Sequence, residues 1–211
     1  MPDLIREVAE RLYAREFNDS TCAFREEDGE RAPRFLLTTT AAKCNRIFVV
    51  GTLTEKEDIG SDLEYWRGRV VDPTGGFTIY AGQYQEEVMD RFASIEVPTW
   101  VAVIGKPNVR EREVNGVVNT YTSLRPEYIE VVDATTRDLW VIDTARATLD
   151  RIKRMKNPVG LDDETLQNIE HAKDYYQFID LEYYKEMVLE ALKSLKDRSS
   201  GVSTIDLSSE A

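Results

Sequence analysis

Histidine and cysteine are almost missing from this chain: His171 is the only histidine, and Cys22 and Cys44 stand alone with no C-x-x-C spacing. So few soft donors leave neither a zinc site nor a disulfide framework, and no metal or cofactor is expected. Both thiols read as free and in or near the core, and His171, beside Ala172 and Lys173, as a surface residue rather than a base. Long hydrophobic runs are missing too. No apolar stretch approaches the ~20 residues that span a bilayer. The segment Met1-Pro2-Asp3-Leu4-Ile5-Arg6-Glu7 has neither an apolar signal core nor a small-residue cleavage site, so a cytosolic protein without membrane contact is expected. Catalytic signatures are also absent: there is no G-x-x-x-x-G-K-S/T loop, no G-x-S-x-G elbow and no pair of histidines at metal spacing. Carboxylates are so plentiful that nearly any window holds two, which identifies no acid–base pair, and no enzyme is expected. Positive charge is in deficit, 27 Lys and Arg against 39 Asp and Glu, for a net charge of −12. Nonspecific affinity for nucleic acid comes from neutralised phosphates. A chain this acidic binds DNA through a local patch or a partner, or not at all.

What is present is a chain of 211 residues, 42% hydrophobic and 31% charged, enough for one core of roughly 100–150 residues and an accessory element. Asp3 to Arg15 carries Leu4, Ile5, Val8, Leu12 and Tyr13 at helical spacing behind Pro2, which predicts an N-terminal helix over residues 1–16. Phe17 to Arg34 is polar, with a turn-prone tip at Asp28-Gly29-Glu30, and reads as a small hairpin or an irregular lead-in. Arg46 to Leu53 is a first strand with a bend at Gly51, and Glu55 to Asp62 an acidic loop. Glu64 to Val71 and Phe77 to Ala81 pair across the turn Asp72-Pro73-Thr74-Gly75-Gly76. Gln83 to Ile95 is helical, Thr99 to Gly105 a fourth strand, and Val117 to Val132 a fifth, interrupted at Pro126. The order β-β-β-α-β-β is that of the OB-fold, a five-stranded Greek-key barrel. The fold expected is therefore mainly β: an OB-fold domain over 17–134 with its lead-in, followed by amphipathic helices at 135–156 and 161–198 and a mobile tail at 199–211. In the first of these helices Leu139, Ile142, Leu149 and Ile152 form a stripe with Ala145 between them; Asp162 and Asp163 cap the next, whose spacing persists to about Lys196.

Strand alternation places Tyr65, Arg67 and Arg69 on one face of the second strand, and Val70 and Phe77 look like core. Thr78 and Tyr80 then face outward beside the arginines, and Tyr84 extends the same face or caps the barrel. Cations and exposed rings interleaved in this way suit a single nucleic-acid strand, arginines meeting phosphates while rings stack on bases of any identity. The same arginines could instead pair with Glu57, Asp58, Asp62 and Glu64 as a solvated surface. Between strands four and five, Lys106, Arg110 and Arg112 are candidates for phosphate contact, with Tyr121 and Arg125 further on. Glu111 and Glu113 weaken that reading and favour an ordinary charged hairpin. Trp100 and Trp140 read as packing residues.

Several segments together, Phe17-Asn18-Asp19-Ser20-Thr21, Arg46 to Thr54, Tyr65 to Gly75 with its D-P-T-G turn, Tyr80-Ala81-Gly82-Gln83-Tyr84, Val101 to Pro107 and Ser123-Leu124-Arg125-Pro126-Glu127, closely resemble the archaeal replication protein A associated family over about residues 10 to 155. The resemblance implies an OB-fold subunit working beside a larger replication protein A subunit in single-stranded DNA binding, replication and repair, and hence a hetero-oligomer. In outline the chain is similar to the middle subunit of the eukaryotic heterotrimer, whose barrel is followed by a helix that bundles with partner helices. By that likeness Leu139, Ile142, Ala145, Leu149 and Ile152 are the partner-binding residues. No winged-helix domain can be read after Gly160, so recruitment functions attached to one are not implied. A purely structural subunit whose barrel never touches DNA remains the alternative.

Overall fold

The computed structural model describes residues 8–26 and 32–201. In chain order the elements are β1 (Glu10–Arg11), α1 (Ala14–Asp19), β2 (Cys22–Arg25), β3 (Arg34–Leu37), β4 (Lys43–Cys44), β5 (Ile47–Asp58), β6 (Tyr65–Asp72) and β7 (Gly75–Gly82). A single 3-10 turn, Gln83–Gln85, then leads into α2 (Glu86–Ser94), followed by β8 (Thr99–Val114), β9 (Val117–Val131), α3 (Ala134–Lys156), α4 (Asp163–Tyr176) and α5 (Leu181–Gly201).

Burial alternates along β6 and β7, β5 and β8 carry runs of buried residues, and the strands β5 to β9 close on themselves. β5 pairs antiparallel with β6 on one side and with β8 on the other, β6 pairs with β7, β8 with β9, and β7 meets β9 in parallel at Ile79 and Leu124. The ring β5-β6-β7-β9-β8 with α2 between β7 and β8 is the OB-fold barrel, mainly β with a helical extension. Its interior is filled by Val49, Leu53, Val70, Phe77, Ile79 and Val103, all fully buried. α2 closes one end, setting buried Phe92 edge-on to Trp66 at 6.3 Å between ring centroids.

Several elements differ from the sequence expectation. Residues 8–13 are not helical: Glu10 and Arg11 lie parallel to Ile47 and Phe48, and Val8, which helical spacing would bury, is 86% exposed. Tertiary anchoring overrides the periodicity, because Leu12 and Tyr13 are both fully buried and the Tyr13 hydroxyl donates to the Val141 carbonyl at 2.7 Å. The expected N-terminal helix is thus reduced to α1, and residues 1–7 lie outside the described ones. The stretch Glu55 to Asp58, read as a loop, is the far half of β5, held by pairing with Trp66 to Arg69. Likewise residues 106–114 are strand, joined to the expected strand from Val117 by the two-residue turn Asn115-Gly116, whose φ angles of +55° and +78° an Asn-Gly pair tolerates. Pro126 does not interrupt β9; the register shifts there, leaving Glu127 bulged opposite Ile104 and Gly105.

The lead-in hairpin is real and larger than expected: β2, β3 and β4 make a second, antiparallel sheet, while the turn tip at Asp28-Gly29-Glu30 falls outside the described residues. α4 covers this sheet. The Tyr176 hydroxyl accepts from the Thr21 and Cys22 amides and donates to the Leu37 carbonyl at 2.6 Å. Cys22 and Cys44 are buried and in no disulfide, and the Cys44 thiol donates to the Leu36 carbonyl at 3.4 Å. His171, expected at the surface, is half-buried, its Nε2 3.7 Å from Cys22 Sγ and its ring edge-on to Phe24. The expected continuous helix from residue 163 to 196 is two helices, broken after Gln177, whose φ of +55° cannot continue a right-handed helix. α5 runs to Gly201, so the first residues of the expected tail are helical; 202–211 lie outside the described residues.

The D-P-T-G turn has a structural task. α1 has no side-chain cap of its own; instead Asp72 Oδ2 accepts from the Ala14 amide at 2.7 Å and Thr74 Oγ1 from the Arg15 amide at 3.1 Å, so the β6–β7 turn caps the helix from outside. The other Asp72 oxygen takes the Thr74 amide and hydroxyl and the Gly75 amide. Burial pushes the Asp72 carboxyl above its usual pKa, an effect that these donors partly offset. A second buried polar cluster ties α1 to α3. Glu16, fully buried, pairs with Arg151 at 2.9 Å and accepts from the Thr40 hydroxyl, while Arg151 also donates to Thr40 and Thr148.

Candidate nucleic-acid interface

On β6 the inward positions are Gly68 and Val70, and on β7 Phe77, Ile79 and Ala81, all buried. Tyr65, Arg67 and Arg69 therefore share the outer face with Thr78 and Tyr80, and the register sets Arg67 beside Tyr80 and Arg69 beside Thr78. Tyr65 and Tyr80 lie nearly parallel, 12° between planes and 5.8 Å between centroids. Gly82, opposite Tyr65, makes that possible: a Cβ there would come 2.8 Å from the Tyr65 ring. Along the other edge of β6 runs the acidic half of β5. Glu57 pairs with Arg67, both about half exposed, and holds the guanidinium further above its already high pKa. Glu55 stands beside Arg69 in the register.

The long β8–β9 ribbon alternates in the same way. Cross-strand pairs put Lys106 with Arg125, Asn108 with Ser123, Arg110 with Tyr121 and Arg112 with Asn119, so these eight share one face. That face turns toward the β6–β7 surface, where its lower part builds a chamber of about 250 Å³ lined by Tyr65, Tyr80, Gly82, Gln85, Asn108, Arg110, Ser123, Leu124 and Arg125. A neighbouring groove of about 400 Å³ is lined by Glu55, Lys56, Glu57, Arg67, Gly68, Arg69, Thr78 and Tyr80. Tyr80 belongs to both. The two cavities form a track across the barrel: charge on the outer side, rings at the junction, amides and hydroxyl on the inner side. Lys106 sits behind it, 3.8 Å from Glu127, whose carboxyl burial pushes up but Arg46 and Lys106 hold below the usual value. Tyr121 is 53% exposed, and Arg112 borders neither cavity.

No protein-family model matches the chain, and no curated protein sequence matches it. Among solved structures it is similar to the mitochondrial single-stranded DNA binding protein Rim1 of S. cerevisiae, at 16% identity over 42% of this chain and 94% of that one, with a TM-score of 0.34. The small single-stranded DNA-binding protein of Streptomyces coelicolor aligns at 20% identity over 43% of this chain and 95% of that one, with a TM-score of 0.32. A chain of the S. pombe Stn1-ten1 complex aligns over 78% of this chain and 99% of its own, at 14% identity and a TM-score of 0.47. The barrel assignment rests on strand order and closure rather than on these scores.

Of the residues singled out in the sequence, the structure brings Tyr65, Arg67, Arg69, Thr78, Tyr80, Arg110 and Arg125 to the two cavities. Lys106, Arg112 and Tyr121 share the ribbon face but lie outside both, and the side chain of Tyr84 is outside what the structure describes. Periodicity missed Gln85, Asn108 and Ser123. Asn108 alternates with Arg110, and reading 106–114 as strand rather than loop finds it; Ser123, on the expected fifth strand, alternates with Tyr121 and Arg125. The helix stripe divides. Ala145 and Ile152, 3% and 4% exposed, pack into the chain's own core with Trp140 and Val141, so they present nothing to a partner here. Ile142 is half-buried, while Leu139 and Leu149 are exposed. A helix lying on a barrel must spend its most apolar side on that barrel, and the spacing alone did not say which of its sides that was.

The pairing of Glu57 with Arg67 carries a prediction. On a single strand laid along this face, the carboxylate would occupy a cation that a phosphate needs and would repel the phosphate itself. Glu57→Gln should therefore tighten binding to a short single strand by roughly threefold at low salt, read by fluorescence anisotropy.

Proposed function

We propose that this chain is a single-stranded DNA-binding accessory subunit of a replication protein A complex acting in DNA replication and repair. The observation that carries the reading is the track across the barrel, in which parallel Tyr65 and Tyr80 lie between the Arg67/Arg69 pair and the Arg110/Arg125 pair. Rings offer about 1–3 kcal/mol of stacking per base without sequence preference, and the flanking cations neutralise the backbone. The net charge of −12 keeps the intrinsic affinity modest, and a tethered partner with its own DNA site raises it through effective concentration.

The subunit role draws on the sequence resemblance and on Leu139 and Leu149, which project from α3 away from the core at 57% and 39% exposure. Replacing both with glutamate should abolish co-purification of the larger subunit while leaving the melting temperature within about 2 °C, because neither side chain is buried. A complex that survives the double change places the contact elsewhere. The alternative, an assembly subunit that leaves DNA alone, is favoured by the pairing of Arg67 with Glu57. It predicts no salt-dependent binding of any single strand by the isolated chain.

A further inference from the structure

The two cavities that meet at Tyr80 differ in chemistry. The outer groove presents charge, Arg67 and Arg69 with Glu55 and Glu57, while the Lys56 ammonium donates to the Phe92 and Ala93 carbonyls, and its two arginines suit a phosphate backbone. The inner chamber has no carboxylate in its lining; it offers the side-chain amides of Gln85 and Asn108 and the guanidinium groups of Arg110 and Arg125 beside the tyrosine pair. Neither amide is tied into a side-chain hydrogen bond among the described residues, and Ser123, next to Asn108, donates to the Asn108 backbone carbonyl instead.

We propose that this inner chamber reads one base of the bound strand and selects purines. The proposal rests on the single-strand reading above and adds a preference to it. A side-chain amide pairs with adenine through N6 and N7, and a guanidinium with guanine through O6 and N7. Both pairings use N7, an acceptor that pyrimidines lack. The carboxylate that would accept from the cytosine amino group is missing from the lining. Bases of a single strand are free to splay and offer these edges, whereas the tyrosine faces stack on any base and supply no preference of their own kind. The split between the cavities assigns the backbone to the outer groove and one base to the inner chamber.

The test uses the full chain and labelled short oligothymidylates carrying one central adenine, guanine or cytosine, or one 7-deaza purine, with affinity measured by anisotropy at low salt. Adenine or guanine should bind about fivefold tighter than cytosine at that position. The 7-deaza purines, which keep the stacking face but lose N7, should fall to the cytosine value. In Asn108→Ala combined with Arg110→Met the purine-to-cytosine ratio should drop below about two. Equal affinity for all four bases, with binding intact, overturns the purine proposal and leaves the single-strand reading standing. So does a purine advantage that 7-deaza analogues retain, since that advantage would be stacking. Absence of binding to every strand overturns both.

Discussion

Arg67→Ala combined with Arg69→Ala should lower the affinity of the isolated chain for a short single strand by tenfold or more at low salt, with little change in stability. Both side chains stand on the outer face of β6, across the register from Tyr80 and Thr78, and both line the outer groove. Each phosphate contact on a single strand contributes about 0.7 to the slope of log affinity against log salt, so loss of two should flatten that slope by about 1.4. The slope matters more than the affinity, because a general loss of folding would reduce binding without changing the slope in this way. If the double variant binds with an unchanged slope, the backbone runs elsewhere on the barrel.

Arg151→Met should destabilise the protein by about 3–5 kcal/mol, because it leaves the carboxylate of Glu16 buried without its charge partner. Glu16 is fully buried and Arg151 is 8% exposed, and the pair joins α1, held on the β6–β7 turn by Asp72 and Thr74, to α3 on the barrel's flank. For a chain of this size that loss corresponds to a fall in melting temperature of roughly 6–20 °C. Pairing the change with Glu16→Leu should restore part of the loss, since removing both charges removes the desolvation penalty along with the attraction. A shift of less than about 2 °C in the single variant would mean that this pair does not hold α1 to α3. The consequence reaches function: α1 and α3 flank the barrel rather than line the track, so loss of this pair should reduce stability before it reduces binding.

The barrel was legible in the sequence because β6 and β7 alternate and their turn carries its own chemistry. Val70 and Phe77 inward imply Arg69 and Thr78 outward, and the folded chain has that arrangement. Charge disguised the rest. Glu55-Lys56-Glu57-Asp58 has the composition of a loop, but β6 is available to pair with it, and ladder hydrogen bonds outweigh propensity at a solvated strand end. The same holds for Lys106 to Glu113, where alternating charge hid a ribbon and with it Asn108. At the amino-terminal side, the spacing of Leu12 and Tyr13 predicts a helix because apolar spacing cannot distinguish a helix face from an extended segment threaded between barrel and α3. The docking stripe failed in part for a related reason. Periodicity located an amphipathic helix, but α3 has an internal customer in the barrel and in α5, which takes Ala145 and Ile152 and leaves Leu139 and Leu149 outward.

Chemical-shift mapping of the backbone amides during titration with a short oligothymidylate at low salt tests the central claim most directly. The account predicts the largest shifts along residues 65–69 and 78–82 and along 106–112 and 121–125, with α3, α4 and α5 unmoved. Shifts confined to the helices, or none at strand concentrations that saturate other single-strand binders, would contradict it.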